Sequence, residues 1–116
     1  VAVSSAYLDF ACDLLGGLGP VRARRMFGGA GLYAQDVMFA LVADDVIYLK
    51  TDAALAAALE AEGCGAFVYD GGKSGKASAM RYHRLPDAAL EDPELAVDWG
   101  RKALRVALAA AARKAR

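Results

Sequence analysis

His83 is the chain's one histidine, and Cys12 and Cys64 are its two cysteines. A histidine acts as a general base only beside a nucleophile or an orienting carboxylate in a cleft. No serine or cysteine pattern supplies such a partner near His83, so it reads as a packed or half-exposed strand residue. Cys12 falls beside an apolar helical stripe, and Cys64 follows Gly63, a natural helix stop. The two thiols are far apart without metal-ligand spacing, and they read as small apolar packers in a reduced compartment. A metal site needs more His, Cys or clustered carboxylates than are present, so none is expected. Asp44-Asp45 and Glu91-Asp92 read as turn and cap residues rather than an acid–base pair.

Two glycine-rich stretches imitate phosphate-binding loops. In Gly71-Gly72-Lys73-Ser74-Gly75-Lys76-Ala77-Ser78 the Gly-Lys step is followed by alanine, and position 70 is aspartate. A phosphate loop needs Ser or Thr after its Gly-Lys and then a helix, whereas a strand pattern follows here. The stretch reads as a hairpin loop. Gly29 and Gly31 are likewise followed by a strand pattern, so no helix N-terminus awaits a pyrophosphate. No cofactor is expected.

The basic residues are the remaining functional signal. Arg22 and Arg24 project together from a first strand, Lys73 and Lys76 sit on the glycine loop, and Arg81 and Arg84 lie on a last strand. Tyr33, Tyr69 and Tyr82 are interleaved with them. If those strands lie close together, they form a cationic and aromatic surface suited to phosphate contact or base stacking. The competing reading is a sheet face or edge protected by charge. By strict alternation Arg25 points to the core side, so it requires a buried carboxylate partner or a bulge that turns it outward.

The elements that position these residues follow from periodicity. Tyr7, Phe10, Ala11, Leu14, Leu15 and Leu18 make one helical stripe, capped by Ser4-Ser5 and ended by Gly16-Gly17. Strands are expected at 21–27, 30–34, 37–43 and 46–50, with tight joints at Gln35-Asp36 and Asp44-Asp45. The third strand is apolar on both faces, which makes it central. Gly28-Gly29 signals a bulge or a close backbone approach. A second helix spans 53–62 behind Thr51 or Asp52, and further strands span 66–69 and 78–85. Asp92 caps a last helix with Pro93 at its first turn. Leu95, Trp99, Ala103, Val106 and Ala110, widened by Val97, Leu104 and Leu108, give that helix a broad apolar arc. It either packs in its own domain or forms a homodimer contact.

The order helix, four strands, helix, two strands, helix predicts an α+β fold: two layers, an antiparallel sheet with helices packed on one side. The 116 residues suit a single domain over 1–116 with its own core. Fourteen basic residues balance fourteen acidic ones, so any nucleic-acid binding must use a local patch and be weak. No signal-peptide pattern or membrane-length apolar run is visible, and a cytoplasmic location is expected.

One segment is distinctive: Met26-Phe27-Gly28-Gly29, then Gly31-Leu32-Tyr33, Met38-Phe39-Ala40-Leu41 and Tyr48-Leu49-Lys50, followed later by Arg84-Leu85-Pro86 and Asp92-Pro93. In residues and spacing it resembles the N-terminal domain of the TfoX/Sxy family of bacterial competence regulators. The resemblance implies a bacterial cytoplasmic, non-enzymatic protein with an α+β sandwich fold. Full-length members activate DNA-uptake genes together with a cyclic-AMP receptor-type factor. It also implies that Met26, Phe27, Gly28, Gly29, Gly31, Pro86 and Pro93 are structural. This chain departs from the family pattern in ending without the second domain, and in His83, where a tryptophan is usual. The expected function is a regulatory module acting through a protein partner. That partner would contact the strand-one and strand-six arginines or the last helix. The alternatives are weak direct nucleic-acid binding, or a ligand sensor or enzyme with a pocket between sheet and helices.

Overall fold

The computed structural model describes residues 3–26, 29–69 and 78–114. Phe27, Gly28, Lys73, Lys76 and the Gly71 to Gly75 loop lie outside the described residues. Three helices, α1 (Ser5–Leu14), α2 (Ala53–Ala61) and α3 (Pro93–Lys114), pack on a six-stranded sheet. Its strands are β1 (Arg22–Met26), β2 (Gly29–Ala34), β3 (Val37–Ala43), β4 (Val46–Lys50), β5 (Ala66–Tyr69) and β6 (Ser78–Arg84). All neighbours are antiparallel, in the order β1-β2-β3-β4-β6-β5. The α+β reading and the central place of β3 hold. Two 3-10 turns, Gly16–Leu18 and Asp87–Glu91, are additions to the expected elements. No described helix is long and apolar enough to cross a membrane.

The joints do what their residue types allow. Gln35 and Asp36 have φ of 51° and 65°, and Asp44 and Asp45 have 52° and 55°. Two successive left-handed residues match the right-handed twist of hairpin strands, which fixes the β2–β3 and β3–β4 register. Each helix starts on a side-chain cap. Ser4 Oγ accepts from the Tyr7 amide, Asp52 Oδ1 from Leu55 and Asp92 Oδ1 from Leu95. Gly63, at φ 82°, ends α2.

Alternation gives the sheet one dry face. Ala30, Leu32, Ala40, Val42, Ile47 and Leu49 are buried there, in one cluster with residues of all three helices. Opposite Leu32 and Tyr33 the β3 register skips Phe39. This bulge turns the Phe39 ring, fully buried, into the same core. The register shift therefore lies at Phe39 and not at Gly29. Gly29 is instead required by close approach: a Cβ there would strike the Val42 carbonyl oxygen.

Two expectations about side chains are corrected. Arg25 does reach toward the helical side, but it is exposed and finds no carboxylate among the described residues: its guanidinium donates to the Val3 carbonyl (2.9 Å) and to Ser5 Oγ (3.1 Å). Neutral oxygens at the start of α1 suffice because the head stays in water. On α3 the buried line is Ala96, Gly100, Ala103, Leu104 and Ala107, while Leu95, Trp99, Val106 and Leu108 pack partly buried beside it. Small residues win the contact because they let α3 approach its neighbours closely, at Gly100 the end of α1 and the 3-10 turn after it. Even a methyl on Gly100 would press Leu15 Cδ2 at 3.0 Å and Leu18 Cδ1 at 3.1 Å.

Candidate functional site

The strand order separates the two arginine strands: β2, β3 and β4 lie between β1 and β6. Arg22 and Arg24 are therefore not beside Arg84. The register nevertheless places all three on one face. Arg24 pairs with Gly31, Gly31 with Leu41, Leu41 with Tyr48, and Tyr48 with Arg84. Directly paired residues share a face, so these five form one lateral row across five strands. Four inter-strand spacings make it about 19 Å long. A second row runs Arg22, Tyr33, Met38 from one side and Lys50, Tyr82 from the other. Both rows are cationic toward their ends and apolar or aromatic between.

This face is opposite the helices, and the two faces differ in burial. The core face is closed, whereas Met26, Tyr33, Met38, Leu41, Tyr48 and Phe67 are all partly accessible. Gly31 leaves a gap in the first row that methionines occupy. A Cβ there would lie 2.9 Å from Met38 Sδ and 3.1 Å from Met26 Cε. Tyr48 packs on Phe67 with ring centroids 4.9 Å apart. The surface is therefore deformable thioether and aromatic matter, edged by cations.

Its charges are only partly answered. Arg22 meets Asp36 at 3.4 Å, with side chains 75% and 94% exposed, a pair of little energetic weight. Arg84 meets Asp87 at 2.8 Å. Arg24 makes no ion pair or side-chain hydrogen bond with another described residue. Lys50 Nζ stands 5.4 Å from the Tyr82 ring centroid. Partial burial, and then the nearby Lys114 and Arg81 charges, hold the Lys50 amine below the ordinary lysine value. Burial, and secondarily Tyr33, pushes the Tyr82 phenol up. Arg81 itself alternates to the helical side, away from Arg84, and is exposed. Lys73 and Lys76 lie outside the described residues.

The remaining candidates resolve separately. His83 is packed, 5% exposed. It has partners that sequence spacing did not reveal: Glu60 Oε2 lies 2.8 Å from Nε2, and Thr51 Oγ1 lies 3.2 Å from Nδ1. Glu60 stands one turn before Gly63, a position whose only legible signal was its place on α2. The trio has the composition of a nucleophile, base and acid, but Thr51 is 4% exposed, so a substrate cannot reach it. The arrangement pins α2 to β4 and β6. Cys64 is buried and Cys12 half-buried; both are free, and burial raises both thiols. Ser78 begins a strand, so no helix follows Lys76 to make a phosphate loop. A shallow groove of about 560 Å³ lies between α1 and the start of α3, lined by Asp13, Leu14, Gly17, Glu94, Val97 and Asp98. It is not the pocket between sheet and helices that a ligand sensor was expected to have. No group of described residues could hold a metal ion.

Gly29 and Gly31 lie on β2, Met38 and Phe39 on β3, and Pro93 opens α3 behind its Asp92 cap. The model of the TfoX N-terminal domain matches residues 13–107. The chain belongs to the TfoX N-terminal domain family. No individual curated protein matches it. Within this TfoX domain, Gly29, Gly31 and Pro93 have structural work that the geometry explains, and Pro86 is buried ahead of the 3-10 turn that leads to α3.

Proposed function

We propose that this TfoX N-terminal domain is a non-enzymatic regulatory module of bacterial transcription or competence control. It acts by holding a partner protein on the open face of its sheet. The observation that carries this reading is the row from Arg24 through Leu41 and Tyr48 to Arg84. Apolar residues on a sheet face that no described helix covers, bounded by cations, are what a binding surface requires and what a merely solvated face does without. The family adds support, since its members are regulatory. The broad arc of α3 supports a contact less well, because its central line is occupied by the domain's own core.

The test is affinity capture from the native bacterium with the wild type and with Arg22→Glu plus Arg24→Glu, both checked for fold by circular dichroism. The reading expects a regulator or transcription component recovered by the wild type and lost by the folded variant. Equal recovery by both refutes the placement. Direct nucleic-acid binding is less well supported, because the aliphatic middle of the face interrupts the continuous cationic track that a phosphate backbone follows.

A further inference from the structure

Resting on the reading above, we infer that the occupant of the open face is an amphipathic helix of a partner protein. It carries acidic residues along both flanks and lies along the strands over β2, β3 and β4.

The argument is one of width and charge. The cations form two banks. Arg22 and Arg24 stand on β1; Lys50 stands on β4 and Arg84 on β6. Three to four strand spacings separate the banks, about 14–19 Å. An α-helix with its side chains is about 10–12 Å across, so one helix fits between the banks with each flank within reach of an arginine or lysine. Between them lie Tyr33, Met38, Leu41 and Tyr48, with Met26 beside Gly31, all partly accessible. Such a floor suits the apolar stripe of a helix, and flexible thioethers adapt to it. β3, at seven residues, sets a footprint of roughly 23 Å, or about 15 helical residues.

Charge complementarity selects acidic flanks. Lys50 is partly buried with the Lys114 and Arg81 charges near it, and a carboxylate beside it favours its charged form. An added helix would also complete the layering, since α3 covers β3 and β4 from the other side. A single-stranded nucleic acid fits less well: its phosphates would meet cations only at the two banks and cross Met38 and Leu41 between them.

The probe is a synthetic 15-residue helical peptide, with leucines at helical spacing on one face and glutamates on both flanks. Fluorescence anisotropy with the whole chain measures its binding. Comparisons are a scrambled peptide, a lysine-flanked version and a ten-nucleotide oligothymidine. The inference expects the glutamate-flanked helix to bind at least tenfold tighter than the scrambled peptide and the oligonucleotide. It also expects the folded variant Arg24→Glu with Arg84→Glu to lose at least tenfold for that peptide and to gain affinity for the lysine-flanked one. Arg24→Glu with Lys50→Glu, which leaves the Arg84–Asp87 pair intact, should behave alike. Equal binding of helix and scrambled peptide, binding by oligothymidine alone, or variants that bind like wild type overturn it. If the peptide fails while capture still depends on Arg22 and Arg24, the helix is wrong and the protein-binding reading stands. If capture is also indifferent to those arginines, both fall.

Discussion

His83 Nε2 lies 2.8 Å from Glu60 Oε2, and this contact joins α2 to β6 of the sheet. Its other ring nitrogen meets the buried Thr51 hydroxyl. The trio is a structural joint. His83→Leu should destabilise the fold by about 1–3 kcal/mol, because it strands a buried hydroxyl. Thr51→Val in the same chain should recover part of that loss. Glu60→Ala, removing a largely exposed partner, should cost about 1 kcal/mol or less. Urea unfolding of the four proteins checks this; a larger loss for Glu60→Ala than for His83→Leu contradicts it.

Gly29 and Gly31 sit two residues apart on one strand but are required for different reasons. A Cβ on Gly29 meets backbone, the Val42 carbonyl, which cannot yield. A Cβ on Gly31 meets only the ends of Met26 and Met38. Gly29→Ala should therefore cost about 2 kcal/mol or more, and Gly31→Ala about 1 kcal/mol or less. Thermal unfolding of the pair gives the order; equal midpoints would contradict the close-approach argument.

Apart from Leu104, the buried line of α3 is made of small residues held tightly in the core. Ala103→Leu should cost about 1–3 kcal/mol by overpacking. The same change at Ala109, which is exposed, should be nearly neutral. Chemical denaturation of the two variants is the measurement, and the reverse order would place the wrong face of α3 against the core.

Lys50 gives a pH prediction. Its amine is held below the ordinary lysine value, so the folded state binds its proton less well than the unfolded chain does. Stability therefore rises with pH between the lowered folded value and the ordinary one. At neutral pH the charge opposes folding, and Lys50→Met should be slightly more stable than wild type. That advantage should shrink as pH climbs through this alkaline window. Unfolding midpoints at neutral and alkaline pH check the sign; an advantage that grows with pH contradicts it.

Much of the architecture was legible in the residues. The bounds of β3, β4 and β5 coincide with those read from alternation, and those of β3 and β4 are set by Gln35-Asp36 and Asp44-Asp45, which tolerate the left-handed conformation that hairpins impose. The shared facing of Arg22 and Arg24 was legible too, since period two fixes it. The strand order was not, because pairing across β4 and β6 depends on long-range register rather than local pattern. Arg84 could therefore not be assigned to the same row as Arg24. The Gly100 line of α3 was missed because hydropathy favours large residues, while close approach of α3 to its neighbours selects small ones, as Leu15 and Leu18 do at Gly100. Glu60 and Thr51 were missed as partners of His83 because they are 23 and 32 residues away from it.

The most direct test of the open face is a methyl NMR titration of the whole chain, with methionine and leucine methyls labelled with carbon-13, against the captured partner. The account predicts that Met26, Met38 and Leu41 shift or broaden first, while Leu104, on the buried side of α3, stays fixed. Saturated binding that leaves Met26, Met38 and Leu41 unmoved contradicts it.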